Sequence, residues 1–320
     1  MTMTMSAQIA ELVSDNDSEM NVEVCTFEEI EDTLRVMRKQ ETTIYRRFDY
    51  LATQTNISDK VVDGSWRQRI VEWMYGVVDH CNLRRDSVAV AAYYLDLSLI
   101  NGLVVSRREF QLAAMTALQL AIKLYDSTLV KLDSMVKLGR GLFNEQDVID
   151  MEVKMLKALK WNVHPPTPVC FLRQFLRLLP SSVVPLTRYL IAEVTRFISE
   201  ISVCLYKFVK YPPSVIAYAG MLLAIERIDS TTLPYWQRHQ IFDLMSSIAG
   251  LKNTSDLVAS AVAQLHLSLE RNISLQELMN TIDAQCQDGY SRLRSNRGHS
   301  SKQDLMDSPR DVILQRSCSH

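Results

Sequence analysis

The sequence predicts an all-α protein: two tandem five-helix modules with an N-terminal helix in front and disordered tails. Three observations predict it. Glycine and proline are scarce, 9 of each in 320 residues, where glycine alone usually reaches ~7%, so tight turns are few and a strand-rich fold is disfavoured. Helix-start signals recur along the chain. Between them apolar residues return with a period near 3.6, and no alternating strand pattern competes. Hydrophobic residues make up 47% and charged residues 22%, enough for a real core over most of the chain.

The elements follow in order. Thr26–Glu29 reads Thr-x-x-Glu, a capping box, and opens a helix over 27–40. Ser65–Gln68 opens 66–80, and a helix over 87–100 follows. Ser106–Glu109 opens 107–125, which is apolar nearly all round and belongs at the centre of a bundle. A short turn of helix fills 130–138, and Asn144–Asp147 opens 145–160. Thr167 followed by Pro168 is a cap before a first-turn proline and opens 168–179. A helix over 184–206 ends before Pro212-Pro213, which opens 213–227, again apolar nearly all round. Helices over 234–249, 255–270 and 275–285, the last opened by Ser274–Glu277, complete the chain. The domains are then an acidic disordered segment 1–25, an N-terminal helix and linker 26–65, modules 66–165 and 166–285, and a flexible tail 286–320. His164–Pro168 is a stiff joint between the modules. Ser308, followed by Pro309 in the tail, is either a proline-directed phosphorylation site or a plain turn.

Several functions are excluded. The longest apolar stretch, near Val215–Ile225, is far short of the ~20 residues of a bilayer span, and no membrane association is expected. Met1–Met20 is polar and acidic, unlike a secretory signal. Six cysteines lie far apart with no Cys-x-x-Cys, which disfavours disulfides and zinc and points to a reducing compartment, nuclear or cytoplasmic. Residues 1–65 carry net −7, and the segments 66–165, 166–285 and 286–320 carry +2, +1 and +2. None has the positive excess that nucleic acid calls for. There is no His-Glu-x-x-His, Gly-x-Ser-x-Gly or phosphate loop. Gly139-Arg-Gly141 lacks a third glycine and follows no strand, and the six histidines do not pair at metal spacing. No enzyme, cofactor or metal is expected.

The informative residues are charges within apolar faces. Glu152 has Val148, Met155, Leu156 and Leu159 as its helical neighbours, and a carboxylate there is costly unless paired. Lys123 ends the apolar helix 107–125. Asp96 interrupts the run Val88–Ile100, and Arg67 sits in a first turn, where a cation opposes the helix dipole. Two readings stay open. Lys123 caps its helix, Glu152 reaches solvent and Arg67 pairs internally with Asp96; or Lys123 and Glu152 form a polar pair in an apolar groove that sets the register of a partner helix.

At these residues the chain resembles the cyclin family. Trp66-Arg67-Gln68-Arg69-Ile70-Val71-Glu72-Trp73 resembles the first-helix signature of the cyclin box, and Tyr93-Tyr94-Leu95-Asp96 the second. Leu120–Asp126 resembles the end of the third helix, Asp147–Val163 the fifth, and Val209–Ala217 the start of the third helix of the C-terminal cyclin fold. The match runs from about 27 to 270. The resemblance implies a non-catalytic subunit that binds and activates a cyclin-dependent protein kinase and controls cell-cycle progression. It implies a structural ion pair Arg67–Asp96, and kinase contacts at Lys123, Glu152, Leu120, Leu156, Trp161 and Val163. Phe27 and Ile30, on a stripe with Leu34 and Met37, either touch the kinase or dock on the chain's own box. A substrate-docking patch would lie at Trp66, Ile70, Trp73 and Gln111, the contact for kinase substrates or inhibitors. Here Arg69 replaces an apolar residue and Gly76 an acidic one, and Leu97 stands where the family usually has Arg. Two other functions remain compatible with tandem folds of this kind: a transcription adaptor similar to TFIIB, and a peptide-binding scaffold without a kinase.

Overall fold

The computed structural model describes residues 26–53, 62–126, 130–252 and 254–270. Its helices are α1 Phe27–Thr42, α2 Tyr50–Thr53, α3 Gly64–His80, α4 Asp86–Ile100, α5 Arg107–Tyr125, α6 Leu132–Leu138, α7 Glu145–Ala158, α8 Pro168–Arg177, α9 Pro185–Cys204, α10 Pro213–Arg227, α11 Tyr235–Ala249 and α12 Asp256–Glu270. A single 3₁₀ turn, Tyr206–Phe208, lies between α9 and α10. Among the described residues there is no strand. The expected segments 1–25, 275–285 and 286–320, with Ser308, lie outside the described residues. Residues 31–265 form one compact unit; residues 26–30 and 266–270 are the outer turns of α1 and α12.

The helix starts follow their local chemistry. Thr26 and Glu29 exchange side-chain and backbone bonds at the start of α1. Asn144 and Asp147 form a complete capping box at α7, and Thr167 accepts from Cys170 N–H ahead of Pro168. Ser106 caps α5, but Glu109 reaches Val105 N–H and the Ser106 hydroxyl rather than the Ser106 amide. The start of α3 corrects the expected box at Ser65: Asp63 is the cap, accepting from Trp66 N–H at 2.9 Å, and the helix begins at Gly64. An Asp two residues upstream caps as well as a Ser and carries a full charge toward the dipole.

In the first fold, α5 is the buried centre, packed between α4 and α7. In the second, α10 plays this part: Pro213 through Ile225 are all buried, packed on α8 and α9. Expecting both from their all-round apolar composition follows from the same fact: a helix with no polar face is stable only when surrounded.

Charged bridges join the two folds. Arg85 reaches Asp79 in its own fold and Glu200 of α9 at 2.8 Å. Arg173 of α8 bonds Asp86 of α4 at 2.5 Å. The C-terminal half of α1 is fastened to the second fold as well. Arg38 donates to the carbonyl of Ala249, the last residue of α11. The next residue, Gly250, sits at φ +62° and a Cβ there would come 2.9 Å from the Arg38 guanidinium, so glycine is required twice over.

Glu41 makes a less expected bond. It is buried, and it accepts from Ser214 N–H at 3.0 Å and from the Ser214 hydroxyl. Helix α10 begins at Pro213 with Pro212 as its cap residue and no side-chain cap of its own. Glu41 thus supplies from α1 the acceptor that α10 lacks. Burial pushes the Glu41 carboxyl above its ordinary value of 4.5, outweighing Ser214 and the nearby Arg38 and Arg47. A raised folded value means the contribution to stability is full at low pH and is lost as pH rises through that value. The stability of the wild type relative to Glu41→Gln, read by urea unfolding, is therefore expected to fall as pH rises upward from the ordinary carboxylate range. A difference that grows with pH would mean that the helix terminus, and not burial, governs this carboxyl.

Candidate partner interface

Lys123 sits in the last turn of α5, where the helix dipole favours a cation. Glu152 lies on α7 at the edge of the stripe Val148, Met151 and Met155, all buried. Because α5 and α7 pack side by side, the ammonium and carboxylate meet at 2.6 Å. Their side chains are 44% and 20% exposed. The pair is therefore at the surface, rimmed rather than enclosed by apolar groups.

The other expected contacts divide. Leu120 is only 4% exposed and belongs to the core under the pair. Leu156 and Val163 are partly buried against that core. Trp161 stands out at 71% exposed. It follows α7 with φ +62°, and Lys160 before it has φ +50°. Two consecutive left-handed residues without a glycine are strained. They are held by Trp161 N–H bonding the Leu156 carbonyl at 3.0 Å. The segment after them is fixed too: the Val163 carbonyl accepts from Tyr94 at 2.5 Å and Tyr125 at 3.3 Å, and Tyr125 also meets His164 at 3.1 Å. Burial raises both tyrosines, so they remain protonated donors. On α1, Phe27 is 59% exposed and Ile30 is buried.

Reasoning from sequence missed Ile149, Val153 and Leu124, all exposed and apolar. Ile149 and Val153 are one helical turn apart on α7, beside the core stripe. The available signal was that α7 has more apolar residues than one buried stripe needs.

Arg67 and Asp96 form a buried two-pronged pair, at 2.7 and 2.8 Å. Tyr50 of α2 donates to the same carboxylate at 2.8 Å. Arg67 also donates to the carbonyls of Val203 and Cys204 at the end of α9, at 2.8 and 3.2 Å. Burial alone would lower the Arg67 pKa, but the Asp96 charge and bonds overcome it and raise it. Burial and then Asp96 raise Tyr50.

Trp66, Ile70 and Trp73 line one side of α3, partly buried against the first core. Gln111 of α5 is also partly buried. Among the described residues no three His, Cys, Asp or Glu side chains gather as metal ligands, and no helix is long and apolar enough to cross a membrane.

The face is thus apolar around a charge pair that two packed helices hold in place. The family description "Cyclin, N-terminal domain" matches residues 32–164, and "Cyclin, C-terminal domain" matches 166–287. The chain belongs to the cyclin family. Cyclin-A2-3 of Arabidopsis thaliana is 28% identical over 214 residues, 63% of this chain and 47% of the relative. Cyclin-B2-2 of the same plant is 27% identical over 221 residues, 69% and 49%. This cyclin thus spans about half the length of these two relatives. A viral cyclin from herpesvirus saimiri superposes with a TM-score of 0.58 at 15% identity, covering 74% of this chain and 96% of that one, and so shares the fold.

Proposed function

We propose that this cyclin binds and activates a cyclin-dependent protein kinase and contributes no catalysis itself. The observation that carries the reading is the 2.6 Å Lys123–Glu152 pair flanked by exposed Ile149, Val153 and Trp161. A kinase helix would lay an apolar stripe on those three and read its register from the charges. Docking on Leu156 and Val163 would favour the inward position of the kinase's mobile helix, completing the Lys–Glu pair around ATP; exposed Phe27 would be a separate kinase contact. Ile30, being buried, would act by shaping α1. Moving a kinase from mostly inactive to mostly active needs ~5.5 kcal/mol of differential binding, which an interface near the ~1,600 Å² standard can supply. The three described cysteines Cys81, Cys170 and Cys204 are free, which supports a reducing setting, nuclear or cytoplasmic. Trp66, Ile70, Trp73 and Gln111 would form a separate docking face for substrates or inhibitors.

The test is to add the full chain to a panel of purified cyclin-dependent kinases and measure phosphorylation of a tail peptide. At least one kinase is expected to gain about a thousandfold or more, on the order of the population shift above. No stimulation across the panel, and no kinase co-purifying with the chain from cells, would defeat the reading.

A further inference from the structure

A small cavity lies where the link between α1 and α2 meets both folds. Arg47 enters its wall from that link, Arg67 from α3, Ser202 from the end of α9, Phe208 from the 3₁₀ turn, and Tyr211 and Pro213 from the approach to α10. Its volume is about 20 Å³. That is room for one water-sized occupant, since a single water needs roughly 10–15 Å³.

The polar side chains of the wall are engaged within the protein, with one exception. Arg67 bonds Asp96 and the carbonyls of Val203 and Cys204. Ser202 donates to the Ser199 carbonyl, and Tyr211 meets Ser260 at 2.7 Å. Arg47 is the exception. Its guanidinium lies over the Tyr93 ring, 5.4 Å from the centroid. Among the described residues it donates no hydrogen bond and closes no ion pair. A guanidinium has five N–H donors, and a ring against its face leaves the rim for acceptors. No carboxylate lines the cavity. Two stand nearby, and both are taken. Asp96 accepts twice from Arg67 and once from Tyr50, and Glu41 accepts twice from Ser214. Arg38, Arg47 and Arg67 thus face Asp96 and Glu41, three cations to two carboxylates. Burial lowers the Arg47 pKa from its ordinary 12.5, and the charges of Asp96 and Glu41 do not make up the loss. An arginine does not escape this by losing its proton, and a surplus cation away from water is costly unless an anion meets it.

We infer that this cavity binds one small, weakly hydrated monovalent anion, of the class of chloride, on the free N–H donors of Arg47. The wall selects that class. Sulfate and phosphate exceed a space for one water. Fluoride gives up more hydration on entering a wall that is partly apolar, at Phe208 and Pro213. A bound anion would fasten the α1–α2 link to both folds, because the residues around it come from each. The inference is independent of the Lys123–Glu152 surface and of the kinase reading.

The experiment uses the full chain, as wild type, Arg47→Met and Arg47→Lys, in the sodium salts of fluoride, chloride, bromide and sulfate at equal ionic strength. Thermal melts are read by circular dichroism, and the quantity followed is the wild-type melting temperature minus that of Arg47→Met. General salt effects, which favour sulfate, cancel in this difference. Replacing fluoride by chloride is expected to raise it by about 3 °C or more once chloride exceeds its dissociation constant by about tenfold. Bromide should act like chloride, and sulfate like fluoride. Arg47→Lys should keep part of the response, since an ammonium keeps the charge with fewer donors. Chlorine-35 NMR checks binding without unfolding: the wild type should broaden the chloride line, bromide should reverse this, and Arg47→Met should broaden it less. A difference that does not move with the anion, an equal gain in sulfate, or equal broadening by wild type and Arg47→Met would overturn the inference. Should Arg47→Met fail to fold, the wild-type NMR decides, and a chloride line that bromide leaves unchanged overturns it. Kinase stimulation in fluoride reports separately on the proposed function.

Discussion

Reversing the charge at Lys123 or Glu152 is expected to abolish kinase stimulation while leaving the helical fold in place. The two effects separate because the pair is half in water. Its worth to the free chain is that of a surface ion pair, below ~1 kcal/mol, and Lys123→Glu or Glu152→Lys should melt close to the wild type. Under a docked partner the same groups lose their water. A reversed charge then faces its former mate as a like charge, and such changes at interfaces cost ~2–5 kcal/mol or more, roughly 30-fold to several thousandfold in affinity. The double exchange Lys123→Glu with Glu152→Lys restores an ion pair of opposite polarity. A partner that reads polarity will still be rejected, so the exchanged variant should fold normally and stay inactive. Stimulation assays with the three variants, alongside thermal melts, decide the matter. Normal stimulation by both single reversals would show that the partner binds elsewhere.

Removing one side of the Arg67–Asp96 pair is expected to cause the largest loss of stability of any single change in the folded region. Arg67→Ala takes from the buried Asp96 carboxylate its two-pronged partner, leaving the Tyr50 hydroxyl and the charge of nearby Arg47, and it frees the carbonyls of Val203 and Cys204. Breaking a buried pair in this way typically costs ~3–5 kcal/mol. A second signature should accompany the loss. Arg67 ties α3 in the first fold to the end of α9 in the second, so without it the folds should melt less cooperatively, with urea transitions by fluorescence and circular dichroism no longer coincident. Replacing both partners with apolar residues, Arg67→Met with Asp96→Leu, should recover much of the stability but not the coupling, because nothing then reaches the α9 carbonyls. A loss below ~1 kcal/mol for Arg67→Ala would mean that water replaces the guanidinium without penalty.

Both pairs were legible in the sequence for the same reason: a charge inside a 3.6-residue apolar period has no reason to be there unless something meets it. The identity of the mate was legible only in outline, since pairing depends on helices distant in sequence. The Tyr50 contact to Asp96 left no trace, because a four-residue helix is too short to show a period. The bond from Glu41 to Ser214 spans 173 residues, and its only sign was negative, a helix start of two prolines without a capping side chain. At α3 both Asp63 and Ser65 could cap, and the apparent box from Ser65 to Gln68 pointed two residues too far along the chain. The cavity at Arg47 was invisible for a related reason. Its wall comes from segments far apart in the chain, and no local pattern says which arginine will be left without a carboxylate.

The left-handed backbone at Lys160 and Trp161 has a consequence for binding speed and economy. A large indole at a surface usually wanders among rotamers, and a partner must freeze it on arrival, at ~0.5–1.5 kcal/mol per side chain. Here the backbone that carries Trp161 is already set during folding, by a hydrogen-bonded turn that tolerates an awkward φ. A partner that meets the indole would have only the side chain left to order, not the chain beneath it, and would keep more of its interaction energy as affinity.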